Sequence, residues 1–314
     1  MPFMKALGLF VISSVFLYAA DIRLGIVGTD TSHVIAFTQM LNDPAAKGHI
    51  SGARVVAAYK GGSPDVESSR TRVDKFEAQL KEKYNVQFFP DITSMCKHVD
   101  GVLLESVDGR VHLNQAKEIF AARKPVFIDK PLASSYEDAK EIARLAKEAG
   151  VPWFSSSSLR YGEIATTMKY PDAIGVITWG PSPLEPHHQL DLSWYGIHAV
   201  ELLFTLIGTG CQEVTRISTP DVDVITGRWS GGRVGTVYAM RRNDTYGATV
   251  FRPKLTEQSR PDMRESYTPL VEQIVKFFQT GQPPVPNEET LEIFAFMDAA
   301  QRSKEAGGVP MKLR

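Results

Sequence analysis

The sequence predicts an α/β protein in two parts: a doubly wound parallel sheet over residues 21–154, then an α+β domain on a mostly antiparallel sheet over residues 155–314. Three observations carry this. As far as Phe154, short apolar runs alternate strictly with segments of helical period, which implies parallel strands joined by right-handed crossovers with helices on both faces. Beyond Ser155 that rhythm gives way to consecutive alternating strands separated by short turns, and such strands pair antiparallel. The length, 314 residues, suits about two domains of roughly 150 residues.

Composition narrows the class. Apolar residues are 43% and charged residues 23%, and Lys+Arg (35) nearly cancels Asp+Glu (36), the balance of a soluble globular chain. A nucleic-acid partner would call for a basic excess, and none exists. Only Cys96 and Cys211 occur, without C-x-x-C or a Cys/His cluster, so neither a disulfide framework nor a structural zinc site is indicated, and a single bridge stays open.

Residues 1–20 read as a signal peptide or a hydrophobic N-terminal extension. Ala6 to Ala20 is an uncharged run of about fifteen residues behind Lys5, too short to span a bilayer comfortably. Cleavage at Ala20 would place the mature protein in the periplasm or outside the cell, free of the membrane; retention would leave it cytoplasmic.

The elements follow in order. Ile22 to Val27 and Arg54 to Tyr59 read as buried strands. Val73, Phe76, Leu80 and Tyr84 recur at spacings of three and four among charged residues, an amphipathic helix. Short strands are expected at Val86 to Phe89, Gly101 to Leu104, Pro125 to Ile128 and Val151 to Phe154, with helices over His112 to Ala122 and from the capping box near Ser135 to Gly150. The second part opens with a helix near Gly162 to Lys169 and a strand near Ile174 to Trp179. An apolar helix, Tyr195 to Ile207, comes next. Four strands between Glu213 and Phe251 and two closing helices, Tyr267 to Gln279 and Glu288 to Ala306, complete it.

In an open parallel sheet, ligands bind beyond the carboxyl ends of the strands. The first such loop is Gly28-Thr29-Asp30-Thr31-Ser32-His33, where a dinucleotide site would carry Gly-x-Gly-x-x-Gly. Asp30 and His33 stand in place of the second and third glycines, and Asp30 is also a good helix cap. Glu105, at the fourth strand, and Asp129-Lys130-Pro131, at the fifth, face the same rim. Lys130 follows a buried strand, where partial desolvation can tune an amine for proton transfer; a structural ion pair with Asp129 or Glu105 is the alternative. In the second part Asp191, Trp194, Tyr195, His198 and Glu201 gather at the start of an apolar helix. If that helix begins at Ser193, Trp194, His198 and Glu201 share one face, as acid/base equipment, as a weakly indicated metal site, or as helix capping.

Together these landmarks resemble the Gfo/Idh/MocA family. The resemblance rests on the Gly28 loop, Val99-Asp100-Gly101-Val102 with His112 downstream, Lys124 to Ala133 around Asp129-Lys130-Pro131, and Gly196-Ile197-His198-Ala199-Val200-Glu201. It implies a Rossmann-like nucleotide-binding domain, NAD or NADP as cofactor, a carbohydrate-like substrate, and a homodimer or homotetramer formed through the exposed sheet face. Asp129-Lys130-Pro131 is similar to the family's Glu-Lys-Pro motif, whose lysine serves nicotinamide and substrate hydroxyl, and His198 matches the family's active-site histidine. Where the family carries an aspartate four residues before that histidine, this chain has Trp194; Asp191 stands three residues earlier as the replacement candidate.

The resemblance thus gives Lys130, His198, Asp191 and Tyr195 as catalytic candidates. Gly28, Thr29, Asp30, Thr31, Ser32, His33, Glu105, Asp129 and Lys130 are the cofactor-binding candidates. The expected activity is hydride transfer at a sugar or cyclitol carbinol with NAD(P), the nucleotide tightly bound if the protein is exported. A cofactor-independent epimerase or lyase acting on a keto-sugar, and a carbohydrate-binding protein without catalysis, are the alternatives.

Overall fold

The computed structural model describes residues 20–243 and 245–314; the expected export segment, apart from Ala20, lies outside them. The first sheet consists of β1 (Ile22–Val27), β2 (Ala53–Tyr59), β3 (Gln87–Phe89), β4 (Gly101–Leu104), β5 (Val126–Asp129) and β6 (Trp153–Ser156), in the order β3-β2-β1-β4-β5-β6. All neighbours pair parallel, and the strand order reverses between β1 and β4, which opens a crevice at their carboxyl ends. The connecting helices are α1 (Ser32–Asn42), α2 (Glu67–Arg70), α3 (Val73–Tyr84), α4 (Ile92–Cys96), α5 (Gly109–Ala121) and α6 (Tyr136–Ala149).

Caps explain where the helices begin. The Thr31 side chain accepts from the His33 N–H, the Asp108 side chain from the Arg110 N–H, and the Ser135 side chain from the Asp138 N–H. Because Asp108 caps it, α5 starts three residues before the expected His112. α6 stops at Gly150, which takes a left-handed conformation at φ 65°. Two short helices, α2 and α4, carry too few residues for a period to be read.

The second part contains α7 (Glu163–Thr167), β7 (Gly175–Pro181), α8 (Asp191–Trp194), α9 (Ile197–Ile207), β8 (Cys211–Ser218), β9 (Val222–Trp229), β10 (Val234–Met240), β11 (Gly247–Arg252), β12 (Leu255–Gln258), α10 (Thr268–Thr280), α11 (Asn287–Glu305) and β13 (Met311–Lys312). Its sheet runs β12-β11-β7-β10-β9-β8-β13 and is antiparallel except where β7 and β10 pair parallel. Helix α9 is buried on every side. Its Val200, Leu203 and Phe204 pack with Val176, Ile225 and Val237 of the sheet. The other face shows Ile217, Val234 and Tyr238 to solvent, and on it the expected homodimer or homotetramer would pair.

The helix expected over Tyr195 to Ile207 is α9, which begins at Ile197; the short α8 precedes it, and Tyr195 and Gly196 divide the two. A Cβ at Gly196 would come within 2.9 Å of both Leu192 and Ser182, so the chain turns there in close contact. The C-terminal half also contributes to the first core: Leu270, Val271, Ile274 and Phe277 of α10 pack with Leu24, Ile26, Val34 and Phe37.

Candidate active site

The carboxyl ends of the first sheet open on a cavity of about 370 Å³ walled by both domains. Lys130 enters it from the turn after β5, where its own peptide N–H donates to Asp129 Oδ1 at 2.8 Å. The Lys130 Nζ lies 5.3 Å from the centre of the Tyr195 ring, and that ring lies 5.9 Å from the imidazole of His198. Lys130, Tyr195 and His198 therefore share one hollow.

A hydrogen-bonded frame sets the His198 ring. Its Nδ1 is 2.7 Å from Ser157 Oγ, which also accepts from the Leu159 N–H at 3.2 Å. Among the described residues Nδ1 is the acceptor within reach of the Ser157 hydroxyl proton, and that assignment puts the ring proton on Nε2 as a donor. Glu201, one turn along α9, holds the frame by accepting from Ser156 Oγ, the Ser157 N–H and Arg160 Nε. Burial drives the pKa of His198 well below the usual histidine value, and the nearby Lys130 charge adds to this, so the imidazole is neutral near pH 7.

A second imidazole has the opposite arrangement. His33 Nδ1 lies 2.6 Å from Asp129 Oδ2, with both side chains almost fully buried. Burial alone would raise the Asp129 carboxyl, but His33 and Lys130 outweigh it and hold the group below the ordinary aspartate value. An ionised carboxylate only accepts, so the Nδ1–H of His33 donates to it. The side-chain partner of Asp129 among the described residues is thus His33.

The other expected positions divide. Thr31, Ser32 and His33 line the cavity. Gly28 lies at φ +86° against the Ser106 backbone, and Thr29 Oγ1 donates to the Lys60 carbonyl at 3.1 Å. Asp30 turns inward, accepting from Ser69 Oγ at 2.6 Å and from the Val107 N–H at 2.9 Å. Glu105 lies sealed beneath the rim: burial beside Asp129 pushes its carboxyl well above the usual range, and neither oxygen has a partner among the described residues.

Two expectations need correction. Asp191 is outside the cavity, because Arg216 Nη2 and Lys304 both bind its Oδ2 and draw it to the far side of α8. Trp194, His198 and Glu201 do not share a face, because the break at Gly196 sends Trp194 into a cluster with Val66 and Val107. Asp191→Asn is accordingly expected to lower stability by about 1–3 kcal/mol, the cost of weakening a partner of the buried Arg216. Turnover should be unchanged, and thermal melts beside steady-state rates check both. Ser158 comes from the serine-rich loop after β6, whose hydroxyls suit a polyhydroxy ligand, whereas Arg72, Tyr246, Glu265, Ser266 and Tyr267 went unnoticed in the sequence.

The model of the oxidoreductase family Gfo/Idh/MocA, described as an NAD-binding Rossmann fold, matches residues 22–156. That match covers the whole of the first sheet, β1 to β6. The whole chain is similar in fold to myo-inositol 2-dehydrogenase from Lactobacillus plantarum, with TM-score 0.75 and 14% identity over 94% of this chain and 100% of that one. It is also similar to myo-inositol dehydrogenase from Lactobacillus casei, solved with NAD(H) and myo-inositol: TM-score 0.73, 17% identity, 94% of this chain and 97% of that one. An oxidoreductase from Agrobacterium radiobacter, in complex with NAD⁺, L-tartaric acid and magnesium, has TM-score 0.69 and 15% identity over 94% and 99% of the two chains. At these identities the likeness is one of fold. No curated protein matches the sequence.

The Gfo/Idh/MocA cofactor can be tested against the residues present. The first turn of α1, which opens on the cavity through Thr31 and Ser32, would suit its pyrophosphate, and Lys130 in the same cavity would stand by its nicotinamide. The crevice beyond is bridged by the chain itself. Ser63 Oγ donates to Asp108 Oδ2 at 2.7 Å, His188 Nε2 lies 3.2 Å from Asp108 Oδ1, and Asp30 fills the place of the fingerprint's second glycine.

Proposed function

We propose that the chain is an oxidoreductase of a sugar or cyclitol, interconverting a carbinol and a ketone. The observation that carries this reading is the meeting of Lys130 and His198, from different domains, in a hollow rimmed by tyrosines. Ring faces of Tyr195, Tyr246 and Tyr267 suit the C–H face of a cyclic polyol, and Ser32, Ser158 and Arg72 suit its hydroxyls.

A bound nicotinamide would supply or accept the hydride. The chain handles the proton. In the reducing direction the Lys130 ammonium gives its proton to the carbonyl oxygen while the His198 Nε2–H holds the same oxygen, and oxidation returns that proton to the amine. Asp129 keeps His33 oriented beside them.

The bridged crevice favours a second reading, an acid/base enzyme that works on a keto-sugar without an exchanging nucleotide. One experiment separates the two. Native mass spectrometry of freshly isolated protein should show a retained nucleotide, or added NAD⁺ or NADP⁺ should be reduced in the presence of myo-inositol, scyllo-inositol or D-glucose. No nucleotide and no reduction, together with solvent deuterium entering a keto-sugar beside its carbonyl, would replace the first reading by the second.

A further inference from the structure

Interconverting a carbinol and a ketone moves one proton, which Lys130 and His198 already serve, and it leaves one imidazole of the cavity without a task. That imidazole is His33. It stands in the first turn of α1, where a dinucleotide fingerprint has its third glycine and therefore no side chain. In this chain the ring at that position reaches the end of β5 and is fixed on three sides. Its Nδ1–H donates to Asp129 Oδ2 at 2.6 Å, its face stacks on Phe37 one turn along α1 with ring centres 5.1 Å apart, and Tyr267 meets it edge to face at 4.7 Å.

The other ring nitrogen is left over. His33 Nε2 has no hydrogen-bond partner among the described residues and is not sealed in the protein, and with the side chain only 9% exposed the little surface it keeps borders the cavity. Asp129 and Lys130 are consecutive in the turn after β5, so the imidazole that one holds and the ammonium that the other presents border the same space. A carboxylate on Nδ1 has two effects. It fixes the tautomer, so that a ring with one proton has its lone pair on Nε2, and it stabilises the imidazolium that forms when Nε2 takes up a second proton.

We propose that His33, held by Asp129, is the base of a second activity in this cavity: it enolises a sugar or cyclitol ketone by removing the proton from the carbon beside the carbonyl. The C–H bond breaks and its proton passes to Nε2. The electron pair forms the C=C bond of an enolate, whose charge settles on the former carbonyl oxygen. The Lys130 ammonium and the His198 Nε2–H, which hold that oxygen during reduction, stabilise it here as well. Return of a proton from the ring restores the ketone with a hydrogen drawn from solvent, and no oxidant or further reactant is consumed. The proposal rests on the cavity binding such a ketone, which both readings above share.

Proton NMR in deuterium oxide tests this on the full chain, with and without NAD⁺, using the ketone of myo-inositol as probe and calorimetric titration for its Kd. The wild type should exchange the hydrogens beside the carbonyl at least about tenfold faster than buffer alone. His33→Asn, whose amide can still donate to Asp129, should slow that exchange about 10²- to 10⁴-fold while Kd stays within about threefold. Asp129→Asn, which keeps the shape and removes the charge, should slow it about tenfold or more and carries the test if His33→Asn does not fold. Binding without exchange in the wild type, exchange retained by the variants, or a loss of binding that matches the loss of exchange overturns the proposal and leaves the polyol reading standing. If the wild type binds neither this ketone nor myo-inositol, the polyol reading falls and takes this one with it.

Discussion

Replacing Lys130 with methionine is expected to lower kcat/KM about 10²- to 10⁴-fold, the usual worth of a positioned proton-transfer group. Stability should change by less than about 1 kcal/mol, since the amine is half-buried at a cavity wall and Asp129 has its side-chain hydrogen bond from His33. The substitution has a second readout. The Lys130 charge helps to hold His198 below its ordinary value, so its loss should let the imidazole gain a proton at higher pH than in the wild type, visible by NMR of the ring protons. A variant that retains turnover within threefold would show that the amine is a bystander.

Gly28→Ala should be the most damaging single substitution for the fold. Gly28 sits at φ +86°, and a Cβ would lie 2.5 Å from both Cα and N of Ser106, backbone atoms that cannot swing aside. The left-handed conformation costs an alanine about 1–2 kcal/mol and the collision adds about 1–3 kcal/mol. Together these lower the melting temperature by roughly 5–15 °C at a few degrees per kcal/mol. A melt within 2 °C of wild type would mean that the β1 and β4 loops can part without penalty. The glycine is required by this contact whether or not a dinucleotide passes nearby.

The first sheet was legible because its strands are buried on both faces and its helices on one, so period and run length announce each element. Lys130, Tyr195 and His198 were legible through the resemblance and through the rule that ligands meet strand ends. Their partners were not. The pairing of His33 with Asp129 depends on β1, β4 and β5 lying side by side, a fact of strand order. Glu265, Ser266 and Tyr267 ride on a stretch before α10 with no period, so nothing in the sequence placed them at the cavity wall. Asp191 misled by proximity: seven residues from His198, it was read as part of the same site, but the break at Gly196 frees α8 to face Arg216.

Helix α10 has a consequence for how the chain is made. Residues 22–156 leave the ribosome first, yet Leu24, Ile26 and Phe37 are covered by Leu270, Ile274 and Phe277, which arrive near the end of synthesis. Closing that long loop is entropically costly and slow. Until the C-terminal segment is delivered, the nascent first sheet carries an uncovered oily side, and a gene truncated at the apparent domain boundary would encode a sticky fragment in place of an independent folding unit.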